Sequence, residues 1–291
     1  MFIRGDTQLT GLFGFPVSHT ASPPMQNAGF EALGLPWVYL PLEVRPERLA
    51  DAVRGTVALG FRGFNLTIPH KQAVMELLDE ISDAAALIGA VNTVQITDDG
   101  ACRGFNTDGP GLVRSLRTDA GVGPAGATCF VMGAGGAGRA VATQLALDGA
   151  GAVLVCDVDA ARAEALAQSI ESKTPCKGVE LVPSGDKAVG KALARADVFI
   201  DATPLGMHEG DLPSINTAHL RPETLVVDLA YNPPETRLLA EAKARGCRTL
   251  NGLGMLLFQG VEAFELWTGR EAPVEAMRRA LHQAIYGTEA S

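Results

Sequence analysis

The chain has 291 residues, 47% of them hydrophobic and 20% charged, with a formal net charge of −9 at pH 7. This length exceeds that of a typical single domain, so two domains with ample apolar core are expected. The negative charge argues against a nucleic-acid surface, and no apolar run is long enough to cross a membrane. The first residues lack a signal-peptide pattern, and five scattered cysteines show no CxxC spacing. We therefore expect a cytoplasmic protein with reduced thiols and a small-molecule partner.

The first part of the chain alternates strand-like and helical segments, which predicts an α/β domain. A hairpin turned by Asp98-Asp99-Gly100 is expected after it. The predicted elements are, in chain order, the strand GLFGF, a helix from about 24 to 33, the strand WVYLPL, a helix from about 46 to 58, the strand FRGFNLTI, and the hairpin strands VNTVQIT and ACRGF.

Polar residues follow the strand FRGFNLTI, in the segment from Asn65 to Lys71. Pro69 keeps the residue before it extended, so the next helix cannot begin earlier. Polar side chains at the end of a strand, and a lysine at the start of the following helix, can face a cleft. Taken alone, however, Lys71 is better interpreted as a solvated helix residue.

The hairpin ends at Asn106-Thr107-Asp108-Gly109, just before another helix, where an aspartate is also a standard N-cap. An aspartate facing a lysine would suit proton transfer, because each charge shifts the pKa of the other. Asn92, at a strand start, can hydrogen-bond a ligand hydroxyl or stabilise a turn. For Asp108, proton transfer and helix capping both remain open. For Asn92, ligand binding and turn stabilisation both remain open.

From about residue 126 the alternation of strands and helices predicts βαβ units in a parallel sheet of at least four strands. The segment 171–186 is rich in turn formers and has room for one short strand, and the chain after residue 252 is predicted to be helical. The predicted elements are the strands ATCFVM, AVLVCD, ADVFIDA and TLVVDLA, with helices at about 138–148, 160–170, 187–195 and 235–245.

A glycine loop follows the strand ATCFVM and reads Gly133-Ala134-Gly135-Gly136-Ala137-Gly138. Such a loop allows a tight strand-to-helix turn and close approach of a pyrophosphate to the helix N-terminus. Asp157, at the end of the second strand, has the spacing of an acid that binds a ribose diol. The pattern predicts a dinucleotide site, and the alternative is an ordinary glycine-rich turn.

These segments together resemble the shikimate dehydrogenase family, and the resemblance covers essentially the whole chain. The landmarks are, in order, Gly14-Phe15-Pro16-Val17-Ser18-His19-Thr20-Ala21-Ser22-Pro23, Asn65 to Lys71, Gly89 to Thr93, Asn106 to Gly109, the glycine loop, Ala202-Thr203-Pro204-Leu205-Gly206-Met207, Tyr231-Asn232-Pro233, and Gly252-Leu253-Gly254-Met255 with Gln259.

The resemblance implies a substrate-binding and catalytic domain made of 1–107 plus 253–291, and a Rossmann-like dinucleotide domain of 108–252. The implied activity is the reversible NAD(P)H-dependent reduction of 3-dehydroshikimate to shikimate, in the chorismate route to aromatic amino acids. Lys71 and Asp108 would be the catalytic pair. The substrate would also be held by Thr20, Ser22, Thr67, Asn92, Tyr231 and Gln259. The cofactor would be held by Gly133, Ala134, Gly135, Gly136, Ala137, Gly138, Asp157, Arg162, Thr203, Met207, Leu229, Gly252 and Met255.

The chain departs from the family at the cofactor site. Members that use NADP commonly carry Asn-Arg-Thr where this chain has Asp157-Val158-Asp159. Two carboxylates would repel a 2′-phosphate, whereas Asp157 can accept both ribose hydroxyl protons. The sequence therefore favours NAD, with NADP still open through Arg162, whose guanidinium can accept a phosphate.

Two other departures concern Thr20 and Asp201. Shikimate-specific members usually have serine at Thr20, so an NAD-dependent quinate/shikimate dehydrogenase is the alternative. Asp201 stands where family members usually have asparagine. Its carboxylate would either repel nearby anionic groups or be solvated.

Other classes of protein fit less well. A non-catalytic metabolite sensor would not need Lys71 and Asp108. The five histidines show no ligand spacing, so no metal site is expected, and no GxSxG elbow is present. A monomer and a homodimer both fit the sequence.

Overall fold

The computed structural model describes residues 3–208 and 210–287, and the chain divides into two compact units. The first unit is Met1–Thr107 with Gln259–Ser291, and the second is Asp108–Phe258. The second segment of the first unit begins at Gln259, inside a helix that starts at Leu253.

The first unit begins with six strands and four helices. The apolar runs form the strands, and short polar or proline-containing segments begin the helices. In chain order they are β1 (Gln8–Gly14), α1 (Ser22–Ala32), β2 (Trp37–Glu43), α2 (Leu49–Ala58), β3 (Phe61–Leu66), α3 (His70–Ala73), β4 (Glu80–Ile81), α4 (Asp83–Ile88), β5 (Thr93–Ile96) and β6 (Cys102–Phe105).

These strands form one mixed sheet in the order β2-β1-β3-β5-β6-β4. β1 runs parallel to both β2 and β3, whereas β5 is antiparallel to β3 and to β6. The β5–β6 pair is the hairpin predicted from Asp98-Asp99-Gly100, and Gly100 has the positive φ of 88° that such a turn requires. The parallel part of the sheet brings the carboxyl ends of β1 and β3 to one edge.

The second unit contains α5 (Asp108–Asp119), β7 (Thr128–Met132), α6 (Gly136–Leu147), β8 (Ala152–Cys156), α7 (Ala160–Lys173), β9 (Val179–Leu181), α8 (Asp186–Leu193), β10 (Val198–Asp201), β11 (Leu225–Asp228), α9 (Arg237–Ala244) and β12 (Arg248–Asn251). α10 (Leu253–Thr268) begins in this unit and ends in the first, and α11 (Val274–Tyr286) is the last element in the described residues.

The second sheet has the order β12-β11-β10-β7-β8-β9, and every pair in it is parallel. The short strand expected within 171–186 is β9, while β12 was not predicted. Two buried apolar clusters occur in this unit; one includes Val131, Val141 and Val155, and the other Phe130 and Phe199. The fold-class prediction, α/β with a Rossmann-like parallel sheet, is confirmed.

The C-terminal helices complete the core of the first unit. The indole N–H of Trp267, on α10, donates to the carbonyl of Val94 at 2.9 Å. The side chain of Gln26, on α1, donates to the carbonyl of Gly260 at 2.8 Å. A Cβ built on Gly63 would lie 2.2 Å from the Trp267 indole nitrogen, so only glycine lets the helix approach β3 this closely.

None of the helices in the described ranges is long and apolar enough to span a membrane. The five cysteines, all within those ranges, are buried and free.

Candidate active site

A buried polar cluster lies at the carboxyl end of β3. The Asn65 side chain accepts a hydrogen bond from the Tyr39 hydroxyl at 2.8 Å. Its amide nitrogen donates to the Thr93 hydroxyl at 2.9 Å and to the Asn92 carbonyl at 3.2 Å. Because Asn65 uses both ends of its amide, its side chain is fixed in one orientation and ties β2, β3 and β5 together.

Asn92 continues this cluster toward the end of the first unit. Its side-chain oxygen accepts from the backbone N–H of Thr107 at 2.8 Å and from the Thr93 hydroxyl at 3.0 Å. Asn106 is held in turn, since its amide donates to the carbonyl of Ala90 at 3.0 Å. Asn92 therefore fixes the residue that immediately precedes Asp108 in the chain.

Thr20 and Ser22 lie at the start of α1. The Thr20 hydroxyl accepts from the backbone N–H of Ser22 at 3.2 Å. The Ser22 side chain hydrogen-bonds Tyr39, and this bond opposes the strong rise in the Tyr39 pKa that burial causes. Both side chains are partly buried, and Tyr39 connects Ser22 to Asn65.

Thr67 and Lys71 flank the start of the short helix α3. The Thr67 N–H donates to the Phe13 carbonyl at 2.9 Å, and the Lys71 carbonyl accepts from Val91 N–H at 2.8 Å. His70 is buried, with its Nε2 2.7 Å from the Val44 carbonyl oxygen. These bonds hold the backbone of α3 beside the cluster, while the Lys71 side chain is only partly buried.

The first unit thus connects Ser22, Thr67, Lys71 and Asn92 through hydrogen bonds and short stretches of chain. Gln259, partly buried on α10, directly precedes the carbonyl that Gln26 binds. Asp108 opens α5 and Tyr231 follows β11; both belong to the second unit.

The glycine loop of the second unit leads from β7 into α6. Gly133 has a φ of 99°, and a Cβ on it would lie 2.8 Å from the Ala202 carbonyl. A Cβ on Gly138 would lie 1.9 Å from the Gly133 carbonyl oxygen. Apart from the adjoining backbone, no atom of the described residues lies within 4 Å of a Cβ built on Gly135 or Gly136, so the space beside the N-terminus of α6 is open. An anion can approach the N–H groups of this turn closely.

Asp157 follows β8 and is buried against the glycine loop. One carboxylate oxygen accepts from Ala134 N–H at 2.6 Å, and the other from Asp159 N–H at 2.8 Å. The Arg162 side chain is exposed. Its Nη1 lies 3.9 Å from Asp157 Oδ2, and its Nη2 lies 3.5 Å from Asp159 Oδ2. The guanidinium is therefore engaged by two carboxylates at the point where a ribose is expected.

The remaining cofactor candidates follow β10, β11 and β12, the three strands on one side of β7 in the sheet. Because parallel strands end at the same edge, these candidates share the edge with the glycine loop. Gly252 N–H donates to the Ala230 carbonyl at 3.0 Å, and a Cβ on Gly252 would lie 1.9 Å from the Leu229 carbonyl oxygen. Met207 is exposed, Thr203 is partly buried, and Leu229 and Met255 pack against the apolar core.

Asp201 ends β10 and is only 1% exposed, so the interpretation as a solvated acid is wrong. Burial raises the pKa of its carboxyl, and hydrogen bonds from Ser214 and Thr203 oppose the rise. Asp228 ends the neighbouring strand at the paired position and is equally buried. Burial, with a smaller effect of the Asp201 charge, raises the pKa of Asp228 to about 6.

Sequence reasoning missed Tyr39 and Asp228. Tyr39 lies in the predicted strand WVYLPL, where a tyrosine in an apolar run needs a partner for its hydroxyl, and that need is the signal in the sequence. Asp228 stood inside the apolar run TLVVDLA, where an acid is equally unusual. Within the described ranges no group of three or more His, Cys, Asp or Glu side chains could hold a metal ion.

Two family models match the chain. Residues 12–94 match the shikimate dehydrogenase substrate binding domain, and residues 252–282 match the shikimate 5'-dehydrogenase C-terminal domain.

Similar proteins match over almost the whole length. Shikimate dehydrogenase (NADP(+)) of Methanopyrus kandleri is 49% identical over 96% of both chains. The protein of the same name from Desulforamulus reducens is 47% identical over 97% of both. The crystal structure of shikimate 5-dehydrogenase from Listeria monocytogenes in complex with shikimate and NAD aligns with a TM-score of 0.90 at 42% identity, covering 94% of this chain and 96% of that one. The resemblance inferred from the sequence is confirmed: the chain belongs to the shikimate dehydrogenase family.

Proposed function

We propose that this protein catalyses the reversible reduction of 3-dehydroshikimate to shikimate with a nicotinamide cofactor. The observation that carries the proposal is the full-length similarity to proteins named shikimate dehydrogenase, which extends through both units. The buried polar cluster at the end of β3 supports it, because a polyhydroxylated acid needs several fixed donors and acceptors.

The second unit fits a dinucleotide. The N-terminus of α6 is open beside Gly135 and Gly136, so a pyrophosphate can approach its N–H groups. When bound, the reduced nicotinamide supplies a hydride for the C3 carbonyl of the substrate. Thr203, Met207, Leu229, Gly252 and Met255 are proposed to line the nicotinamide side, and support comes from their place at the edge where the glycine loop lies.

Lys71 is proposed to protonate the oxygen that develops at C3 and to accept that proton in the reverse direction. An ammonium group stabilises the growing negative charge before it gives up its proton. Asp108 is proposed to orient Lys71 and to bind a neighbouring hydroxyl. The anchoring of α3 and of Thr107 supports these roles, because a proton donor needs a fixed backbone.

The other side chains are proposed to hold the substrate. Thr20 and Ser22 would bind the carboxylate, and the remaining four would bind ring hydroxyls. Their shared feature is an uncharged hydroxyl or amide group, which can donate or accept as each ring oxygen requires. These four are Thr67, Asn92, Tyr231 and Gln259.

NAD is proposed as the preferred cofactor. Asp157 places a negative charge against the glycine loop, and Arg162 is already engaged by Asp157 and Asp159. A 2′-phosphate would meet two carboxylates there. The names of the two curated relatives carry NADP(+), whereas the Listeria structure holds NAD, so the preference must be measured on this chain.

A two-by-two comparison of initial rates tests these proposals. Shikimate or quinate is oxidised with NAD or NADP, and kcat/KM is determined for each pair. The highest value is expected with shikimate and NAD. A higher value with quinate would overturn the substrate assignment, and a higher value with NADP would overturn the cofactor assignment. The cytoplasmic location and the choice between monomer and homodimer remain predictions.

A further inference from the structure

Asp201 and Asp228 have the same pattern of hydrogen bonds. Each ends a strand of the second sheet, and each accepts from the backbone N–H two residues later. These donors are Thr203 N–H, at 2.9 Å from Asp201, and Ala230 N–H, at 2.9 Å from Asp228.

The second carboxylate oxygen of each aspartate accepts from a hydroxyl at the far end of the loop that follows the strand. The Ser214 hydroxyl donates to Asp201 at 2.5 Å, and the Thr236 hydroxyl donates to Asp228 at 2.6 Å. Each aspartate therefore closes one loop by binding both of its ends. We call residues 202–208 with 210–214 the first loop, and residues 229–236 the second loop.

The two loops lie close together at Gly206. Gly206 of the first loop has a φ of 90°, and a Cβ built on it would lie 3.3 Å from the Thr236 side chain and 3.5 Å from an Asp228 carboxylate oxygen. Inside the first loop, Asp211 accepts from Gly206 N–H at 2.8 Å and from His208 N–H at 3.1 Å. A shift of Gly206 would therefore be transmitted to Asp228 and to the second loop.

Holding two acids side by side in a protein interior destabilises the fold. Both pKa values are raised, chiefly by burial, and the Asp201 charge adds to the rise at Asp228. Other charged groups near the pair are Asp211 on the first loop and Arg237 at the start of α9, which is bonded to Glu241 at 2.8 Å. Apolar residues would stabilise the fold more at these positions, so the stability of the fold does not explain why two acids are buried there.

We propose that Asp201 and Asp228 are positioning residues that fix the two loops as one surface for the nicotinamide end of the cofactor. The inference rests on the proposed function in one respect, since the first loop carries Thr203 and Met207 and the second carries Leu229. Asp201 and Asp228 do not contact the cofactor themselves; they act through the loops that they close.

The test removes one hydroxyl at a time from the full-length protein. Ser214→Ala opens the far end of the first loop, and Thr236→Val opens the second. Thr236→Ser keeps the hydroxyl, and Asp201→Asn keeps an acceptor for Thr203 and a group that can bond Ser214. Ser184→Ala is the matched control, because Ser184 is an exposed serine in another loop of the same unit.

Dissociation constants of NAD and NADP are measured by calorimetry, together with the melting temperature. Ser214→Ala and Thr236→Val are expected to weaken binding of the preferred dinucleotide about 3- to 10-fold, the effect of losing one hydrogen bond. Thr236→Ser, Asp201→Asn and Ser184→Ala are expected to stay within about 2-fold of the wild type. Unchanged dissociation constants in Ser214→Ala and Thr236→Val, whether or not the melting temperature falls, would overturn the proposal.

A second readout does not depend on the cofactor. Amide hydrogen exchange in Ser214→Ala is expected to speed up in both loops, because Gly206 couples them. Faster exchange around residue 214 alone would overturn the coupling of the loops. If the wild-type protein binds neither dinucleotide, the proposed function fails, and hydrogen exchange alone then decides whether the aspartates hold the loops together.

Discussion

The Asp157 carboxylate accepts a hydrogen bond of 2.6 Å from the backbone N–H of Ala134, the second residue of the glycine loop. The acid that sets the expected cofactor preference is therefore also part of the loop that receives the cofactor. Its charge is fixed in place by this bond and by the one from Asp159 N–H.

Asp157→Asn is expected to lower the ratio of kcat/KM for NAD to that for NADP by about 10-fold or more, because it removes a negative charge that would repel a 2′-phosphate. Asp197→Asn is the matched control. Asp197 is exposed and also binds a backbone N–H, that of Thr128 at the opposite end of β7. Equal ratios in the wild type and Asp157→Asn would show that this charge does not select the cofactor.

Gly138 and Gly135 are expected to differ in what an added methyl group does. Gly138→Ala places a Cβ 1.9 Å from the Gly133 carbonyl oxygen, so α6 must move, at a cost of about 3 kcal/mol or more in the free energy of unfolding. The Cβ of Gly135→Ala meets no atom within 4 Å among the residues that the structure describes, apart from the adjoining backbone, so stability should change by about 0.5 kcal/mol or less.

Gly135→Ala should nevertheless weaken cofactor binding, since its methyl group occupies the space through which a pyrophosphate approaches the backbone. Urea unfolding and calorimetric titration of both variants check the contrast. Comparable losses of stability in the two variants would contradict the assignment of separate roles to the two glycines.

Asp228 should make folding stability depend on pH in mildly acidic solution. Its pKa in the folded protein is about 6, above the ordinary value of 3.8. The folded state thus holds the proton more tightly, so the stabilisation is complete below about pH 4 and is lost as pH rises to about 6. A pKa rise of about two units corresponds to about 3 kcal/mol.

Asp228→Asn removes this titration and keeps an acceptor for Ala230 N–H. The difference in free energy of unfolding, variant minus wild type, is expected to move in favour of the variant between about pH 4 and pH 7, by on the order of 1–3 kcal/mol. Carboxyls that do not interact with Asp228 titrate alike in both proteins and cancel in the difference, whereas the neighbouring Asp201 contributes to it. A difference that stays constant with pH would refute the prediction.

Local sequence patterns predicted the helices and strands that are determined by their own residues and not by distant partners. The glycine loop and the strand before it were recognised because their spacing has a direct backbone meaning. β12, with the sequence Arg-Thr-Leu-Asn, and the two-residue β4 were not predicted. Both are strands because they pair with β11 and β6, and such distant pairing leaves no periodic signal in a short polar segment.

Polar residues that follow predicted strands, such as Thr67 and Asp157, stand out in the sequence as candidate site residues. Tyr39 and Asp228 were missed because their importance depends on burial and on partners far along the chain. Asp201 shows the same limit. The sequence marked it as unusual, but only the structure shows that it is buried and bonded to Ser214, 13 residues later.

The central claim is that this chain is a shikimate dehydrogenase in which Lys71 transfers the proton. It is tested most directly by the turnover of wild type, Lys71→Ala and Gln72→Ala at saturating shikimate and cofactor. Gln72 is the exposed neighbour of Lys71 on the same short helix and serves as the control. We expect shikimate-dependent reduction of the cofactor by the wild type and by Gln72→Ala. In Lys71→Ala we expect turnover to fall by about 10²-fold or more, with a modest change in KM. Near-normal turnover in Lys71→Ala, or no shikimate-dependent turnover in the wild type, would contradict it.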